Sequence, residues 1–238
     1  MEDKIALVTG SSRGIGRDIA LRLADVVARV AVHYRSDKQA AERVVREIRK
    51  KGKLGDLFRA DLTKEKEAQS LIKKVEDKFG KVDILVNNFG PILAKPWEKV
   101  SSSEWDYVLR GNLMSSLWCL KAVLPGMRKR KWGRVINLGY SRAEQLVAFS
   151  KITPYAIAKT GLLILTRSAA ASEASSGITV NMVSPGLIEG GMLPEAKNIP
   201  SGRLGRFEDI SNAVLFLVSE KAGFITGTNL VVAGGWKL

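Results

Sequence analysis

Residues 153–161, with the sequence TPYAIAKTG, place a tyrosine and a lysine four positions apart. Thr153 is predicted to cap a helix that has Pro154 in its first turn, so Tyr155 and Lys159 share one helical face. A free phenol has a pKa of about 10, and a neighbouring ammonium group stabilises the phenolate and lowers that pKa. A tyrosine and a lysine at this spacing are also common on ordinary helices. The pair therefore suggests proton transfer only if other parts of the chain build a site around it.

A glycine-rich turn near the start of the chain has the order that a nucleotide site needs. The apolar segment Ile5–Val8 is predicted to be a buried strand, and it is followed by TGSSRGIG at residues 9–16 and then by an amphipathic helix. Glycines let the backbone approach a pyrophosphate, while the free N–H groups at the helix start face the phosphates. The spacing G-x-x-x-G-x-G differs from the common G-x-G-x-x-G. A glycine turn alone also serves any tight strand-to-helix connection.

The end of the second predicted strand indicates which dinucleotide would bind. An NAD site places a carboxylate there for the ribose 2′-hydroxyl, whereas an NADP site places an arginine for the 2′-phosphate. This strand ends at Arg35 and Ser36 without an acid, and Arg13 of the first turn can assist. Asp37 is nearby but is predicted to cap the following helix. These residues favour NADP(H) over NAD.

Two further polar residues allow alternative interpretations. Asp61 follows the third predicted strand, where it is either a carboxylate available to an adenine amine or a turn residue. Asn112 lies within a helix that is predicted to begin at a capping box of Ser101 and Glu104 and to run to Pro125. Asparagine is a poor helix former. Asn112 is therefore either a surface residue or a residue that is kept for its side chain.

Composition indicates one soluble α/β domain spanning residues 1–238, with 45% hydrophobic and 26% charged residues. We expect a cytoplasmic protein, because no signal-peptide pattern or membrane-length apolar run is visible. Cys119 is predicted to be interior, and His33 lacks the partners of a metal site, so no metal is expected. The net charge of +14 could serve nucleic acid, an anionic membrane or an acidic ligand. The basic residues are spread over several helices, which favours a solvated surface over nucleic-acid binding.

Strands alternate with helices along the whole chain, without a low-complexity linker or internal repeat. This order predicts a single-domain, Rossmann-type, doubly wound parallel sheet of about seven strands with helices on both faces. The helix that follows Lys159 is apolar nearly all round. Such a helix is predicted to pack on the sheet with one side and on a partner helix, such as one from a second subunit, with the other.

Taken together, these motifs resemble the classical short-chain dehydrogenase/reductase family over essentially the whole chain. Within that family the chain is most similar to the 3-oxoacyl-acyl-carrier-protein reductases of fatty acid biosynthesis. The matching pieces are Thr9-Gly10-x-x-x-Gly14-Ile15-Gly16, Asp61, Asn87-Asn88-x-Gly90, Asn112, Tyr155-x-x-x-Lys159, Pro185-Gly186, Ile225-Thr226-Gly227 and Gly234-Gly235.

The resemblance implies a role for each matching residue. Tyr155 would give a proton to a substrate carbonyl, Lys159 would lower its pKa and hold the nicotinamide ribose, and Asn112 would hold a water molecule. The catalytic serine is assigned to Ser141, with Tyr140 as the alternative hydroxyl. The resemblance implies that Asp61 meets the adenine and that Asn88 and Gly90 line the adenosine ribose. The cofactor-binding set is Gly10, Ser12, Arg13, Gly14, Ile15, Gly16, Arg35, Ser36, Asp61, Leu62, Asn88, Gly90, Tyr155, Lys159, Pro185, Gly186 and Ile188.

Several positions depart from the family pattern. Phe89 replaces a small residue, Gly190 replaces a threonine that often contacts the nicotinamide amide, and residues 192–200 form a shorter substrate lid, which predicts a more open pocket. The leading hypothesis is an NADPH-dependent reductase of a ketone or 3-oxoacyl group, forming a homotetramer or dimer. The alternatives are a pterin-type reductase and a non-catalytic NADP-binding regulatory protein.

Overall fold

The computed structural model describes residues 1–191 and 199–237. Within them the chain forms one parallel sheet in the order β3-β2-β1-β4-β5-β6-β7. The strands are β1 (Ile5–Val8), β2 (Arg29–Tyr34), β3 (Leu54–Arg59), β4 (Ile84–Asn87), β5 (Gly133–Leu138), β6 (Ile178–Pro185) and β7 (Asn229–Val232). This confirms the predicted fold class, and β1 has the bounds predicted for it.

Helices cover both faces of the sheet, because parallel strands need long connections that cross over it. They are α1 (Gly14–Leu23), α2 (Lys38–Lys50), α3 (Glu65–Phe79), α4 (Ser102–Leu109), α5 (Ser115–Arg130), α6 (Thr153–Glu173) and α7 (Phe207–Val218). One apolar core joins α1, α2 and α7 to the sheet. A second core joins α3, α5 and α6 to the opposite face. The domain is therefore doubly wound, as predicted. No helix in these described ranges is both long and apolar enough to cross a membrane.

The strand order reverses at β1, which has β2 on one side and β4 on the other. Val8 at the end of β1 is level with Val32 of β2 and Val86 of β4, so the segments that follow these three strands meet at one edge. In sheets of this kind, ligands bind in the crevice beside the carboxyl ends of the strands at such a reversal. The topology therefore fixes where a site can be built.

The helix predicted from Ser101 to Pro125 differs from the expectation in two ways. Its capping box of Ser101 and Glu104 is present, but a π-helical turn at Arg110–Met114 separates α4 from α5. The helix also continues beyond Pro125 to Arg130. Proline removes one backbone hydrogen bond, but burial of Met127 against the sheet holds the last turns in place.

Candidate active site

A cavity of about 850 Å³ lies at the carboxyl ends of the strands, beside the reversal at β1. Its size is that of a pocket for a dinucleotide or a drug-sized ligand together with part of a substrate. Most of the residues predicted from the sequence line it: Gly10, Ser12, Arg13, Ile15, Gly16, Arg35, Ser36, Asn88, Gly90, Asn112, Tyr155, Lys159, Pro185, Gly186 and Ile188. The structure therefore brings together segments that follow β1, β2, β4 and β6 with Asn112 and with the start of α6.

Four of the predicted site residues are not among those that line the cavity: Gly14, Asp61, Leu62 and Ser141. Asp61 Oδ1 accepts hydrogen bonds from the backbone N–H and the hydroxyl of Thr63, at 3.1 and 2.8 Å. Asp61 thus serves the turn through Oδ1, while its contact with an adenine amine stays a prediction. The side chain of Leu62 is buried in the core. Gly14 begins α1 with a φ of +57°, a left-handed conformation that glycine adopts without strain.

Asn88 locks the glycine turn against the end of β4. Its Nδ2 donates to the backbone carbonyls of Thr9 and Gly10, at 2.8 and 3.1 Å. In return Thr9 Oγ1 accepts from the backbone N–H groups of Asn88 and Phe89. A Cβ atom at Gly16 would lie 2.4 Å from Asn88 Nδ2, so only glycine fits where α1 approaches this amide. The turn is therefore held in shape before any nucleotide arrives.

His33 is the second residue that holds this turn. Its Nδ1 accepts from the backbone N–H of Gly10 at 2.8 Å, and its Nε2 lies 3.1 Å from the carbonyl of Ala60. Because the Gly10 N–H is a donor, Nδ1 must be unprotonated, and Nε2 must carry the ring proton. Burial lowers the pKa of His33 to about 4. A histidine inside the apolar strand β2, which lies next to β1, is the sequence signal that could have indicated this contact with the glycine turn.

Asn112 lies in the π-helical turn between α4 and α5, and it is fully buried. Its Nδ2 donates to the carbonyls of Pro91 and Val108, at 2.7 and 3.0 Å. Its Oδ1 has no hydrogen-bond partner within the described part of the chain, and it points at Gly90, where a Cβ atom would lie 2.2 Å away. Buried acceptors normally have a partner. The free oxygen suits the water-holding role that the resemblance implies, and that role stays a prediction.

Tyr155 and Lys159 both face the cavity from the first two turns of α6, which begins one residue earlier than expected. Ile152 occupies the cap position, and Thr153 is the first helical residue. The expected cap is therefore wrong, because the Thr153 hydroxyl donates back to the carbonyl of Phe149 and not into the helix. The Lys159 Nζ atom lies 5.6 Å from the centroid of the Tyr155 ring. The two side chains are thus neighbours, as predicted.

The electrostatics of this pair differ from the expectation. The Lys159 Nζ atom donates to the carbonyl of Leu138 at 2.6 Å. Burial raises the pKa of Tyr155, and the nearby Tyr140 adds to the rise. Burial also lowers the pKa of Lys159 to about 7. The expected lowering of the Tyr155 pKa is therefore absent from the protein by itself, because removal from water favours the neutral form of both groups.

The two candidates for the catalytic serine position lie in different places. Ser141 is buried, its Oγ has no hydrogen-bond partner among residues 1–191 and 199–237, and its backbone N–H donates to the carbonyl of Pro185. Tyr140 lines the cavity, and its ring centroid is 5.8 Å from that of Tyr155. Burial raises the pKa of Tyr140 to about 12. The Tyr140 hydroxyl is likewise buried and has no hydrogen-bond partner among the described residues, so the assignment of the serine role to Ser141, with Tyr140 as the alternative, stays a prediction.

The opposite end of the cavity is positively charged and fits the 2′-phosphate of NADP(H). Arg13, Arg35 and Ser36 all line it, and Arg35 Nη1 donates to the hydroxyl of Tyr107 at 2.9 Å. The one carboxylate among the lining residues is that of Asp37, which accepts from the backbone N–H of Ala40 and so caps α2 as predicted. A phosphate bound here would meet the guanidinium groups of Arg13 and Arg35, and the carboxylate of Asp37 is already engaged through Oδ1. The residues present thus suit a phosphorylated dinucleotide.

The remaining departures from the family pattern have distinct surroundings. Phe89 lines the cavity, and its ring stands edge-on to that of His33 at a centroid distance of 6.4 Å. Gly190 adopts a left-handed φ of +72°. The predicted short lid at residues 192–200 falls largely on residues 192–198, outside those described. In the described ranges, no three His, Cys, Asp or Glu side chains are placed to share a metal ion.

Comparison with known proteins agrees with this geometry. The family model described as enoyl-(acyl carrier protein) reductase matches residues 10–237. A 3-oxoacyl-[acyl-carrier-protein] reductase from Staphylococcus aureus is 40% identical over 241 residues, which cover 98% of this chain and 97% of the relative. The (2S)-[(R)-hydroxy(phenyl)methyl]succinyl-CoA dehydrogenase subunit from Thauera aromatica is 37% identical over 249 residues, covering 100% of this chain and 98% of the relative.

A solved structure shares the same architecture. The acetoin dehydrogenase from Salmonella typhimurium superposes with a TM-score of 0.90 at 28% identity, over 98% of this chain and 96% of that one. The similarities span the nucleotide turn, the Tyr155 helix and the last strand together. The chain therefore belongs to the short-chain dehydrogenase/reductase family of oxidoreductases, and among its relatives it is similar to 3-oxoacyl-acyl-carrier-protein reductases.

Proposed function

We propose that this protein is an NADPH-dependent reductase of a carbonyl group, either a ketone or a 3-oxoacyl thioester, with Tyr155 as the proton donor. One observation carries the proposal: a single cavity joins the glycine turn and its two arginines to the Tyr155 and Lys159 pair. Two relatives named above act, by their names, on acyl groups carried by acyl carrier protein or coenzyme A. That supports a thioester as the substrate class.

The chain's own residues supply position and a proton. NADPH, when bound, supplies the hydride that adds to the carbonyl carbon. The carbonyl oxygen then gains negative charge. Because the pKa of Tyr155 is raised, its hydroxyl keeps its proton at neutral pH and donates it to that oxygen. Lys159, one helical turn away with a pKa of about 7, is able to return a proton to Tyr155. The ring of Tyr140 forms the wall of the cavity beside Tyr155.

Steady-state turnover tests this function. The purified protein is given NADPH with acetoacetyl thioesters and a panel of ketones, and oxidation of NADPH is followed together with the product. We expect reduction of a carbonyl compound. An enoyl thioester and a quinonoid pterin in the same panel test reduction of a carbon–carbon double bond and of a heterocycle. Tight NADPH binding without turnover of any member would contradict the proposal and favour a non-catalytic nucleotide-binding protein.

The choice of NADPH rests on Arg35 and is tested by its removal. In Arg35→Ala the KM for NADPH is expected to rise about 10- to 100-fold, because a charge-assisted contact contributes about 1.5–3 kcal/mol. The KM for NADH should stay within about twofold, since NADH has no 2′-phosphate. Arg17→Ala is the matched control, because Arg17 pairs with Glu47 outside the cavity. An equal rise for both cofactors would show that Arg35 does not select the phosphate.

We also propose that the chain self-associates through the outer face of α6. Ile157 and Ile164 are 51% and 63% exposed on this face, and the exposed Trp97 and Leu146 border the same apolar groove. Ile164→Lys is expected to shift the particle mass in sedimentation from a multiple of 26.0 kDa towards 26.0 kDa. Leu54→Lys, at an exposed site on β3, is the control. A wild-type protein that sediments as a monomer would refute the proposal.

The cytoplasmic location of the protein stays a prediction.

A further inference from the structure

The cavity wall beside Tyr155 carries a cation that the proposed reaction does not use. Arg142 lines the cavity, with its guanidinium carbon 4.8 Å from the centroid of the Phe149 ring. Its Nε donates to Gln145 Oε1 at 2.8 Å. Gln145 is fixed in turn, because its Nε2 donates to the backbone carbonyl of Lys237 at 2.5 Å. An arginine held by stacking and through Nε presents its two Nη groups in a fixed direction.

No ion pair joins Arg142 to a carboxylate within residues 1–191 and 199–237. Glu144, the nearest acid in sequence, pairs with Arg167. The other charged residues at this end of the cavity are also cations, Lys151 and Lys159. A guanidinium in a partly dehydrated wall is unfavourable without an opposite charge. The cavity therefore favours a ligand that brings a negative charge to this end.

The position of Arg142 relative to the reaction centre follows from the aromatic wall between them. The ring of Phe149, on which Arg142 stacks, is 5.8 Å from the ring of Tyr140, and that ring is 5.8 Å from the ring of Tyr155. A flexible molecule with its carbonyl at Tyr155 can thus lie along this wall and place another group at Arg142. The planar fork of arginine matches a carboxylate through two parallel hydrogen bonds.

We infer that Arg142 binds a carboxylate of the substrate, so that the substrate is an oxo acid, or an oxoacyl group carrying a free carboxylate, with its carbonyl at Tyr155. This rests on the proposed function and narrows its substrate class. It makes Arg142 a specificity-determining residue of the proposed reaction.

The test compares acids with their own esters. Acetoacetate, 4-oxopentanoate and 5-oxohexanoate are each assayed beside the corresponding methyl ester, with NADPH at saturation. For the best acid we expect kcat/KM to exceed that of its ester by about tenfold or more. In Arg142→Gln the acid should lose about 10- to 100-fold in kcat/KM, chiefly through KM, while the ester changes less than about twofold. Arg142→Lys should retain part of the preference.

Arg167→Gln is the matched control, because it removes an exposed cation that pairs with Glu144. Thermal unfolding of each variant shows whether it is folded. An ester reduced as well as its acid, or an equal loss for both in Arg142→Gln, would overturn the inference. Calorimetric titration of each acid into the protein with NADP⁺ separates the two proposals. Acid binding that Arg142→Gln abolishes, without turnover, would support the carboxylate site while contradicting the reductase.

Discussion

Replacing Tyr155 with phenylalanine is expected to lower kcat for carbonyl reduction by about 10²- to 10⁴-fold, the usual contribution of a positioned general acid. The change removes one oxygen atom, and the ring keeps its place between Tyr140 and Lys159. The glycine turn, held by Asn88 and His33, is untouched. The dissociation constant for NADPH should therefore change by less than about threefold.

Single-turnover rates and a fluorescence titration of NADPH measure these two quantities separately. Tyr107→Phe is the matched control, because it removes a phenol oxygen that contacts Arg35 and not the reaction centre. At saturating NADPH its kcat should equal that of the wild type. Equal rates for Tyr155→Phe and Tyr107→Phe would show that the proton comes from another group.

Acidification is expected to remove about 3 kcal/mol from the free energy of unfolding between pH 7 and pH 4 through His33 alone. The folded protein holds the pKa of His33 at about 4, against an ordinary value of 6.5. The unfolded chain therefore takes up a proton at a higher pH than the folded one. The stabilisation of the folded state by the neutral His33 ring is complete above pH 6.5 and is lost as the pH falls towards 4. The cause is the buried ring, whose Nδ1 must stay unprotonated to accept from Gly10.

Urea unfolding at intervals from pH 7 to pH 4 measures this loss. His33→Asn is the reference variant, because asparagine keeps an acceptor oxygen but does not titrate. Over this interval the free energy of unfolding should fall by about 3 kcal/mol more in the wild type than in the variant. Parallel curves for the two proteins would show that His33 contributes nothing to the acid sensitivity.

The fold and the location of the site could be predicted from local patterns. Apolar runs such as Ile5–Val8 are buried on both faces, and their alternation with amphipathic helices leaves few topologies for a parallel sheet. Residues that follow the strands, such as Arg35 and Asn88, meet because the carboxyl ends of parallel strands share an edge. The glycine turn and Tyr155 are far apart in sequence, and it was the family resemblance that grouped them.

The finer geometry depended on contacts between distant segments. The sequence around Asn112 does not indicate a π-helical turn. Asn112 in this turn donates a hydrogen bond to the Pro91 carbonyl and closely approaches Gly90, and both residues are distant from it in sequence. The anchor of Arg142 likewise includes a backbone carbonyl near the end of the chain, at Lys237. The direction of the Tyr155 pKa followed from the depth of burial, which the spacing of Tyr155 and Lys159 does not encode.

The strand order also governs how this sheet can be completed as the polypeptide is synthesised. Leu7 of β1 pairs with Leu85 of β4, so one edge of β1 has no partner until Leu85 has been synthesised. From β4 to β7, spatial order and order of synthesis coincide, and each new strand docks on the edge left by the one before it. The amino-terminal strand is thus the template on which both halves of the protein are assembled.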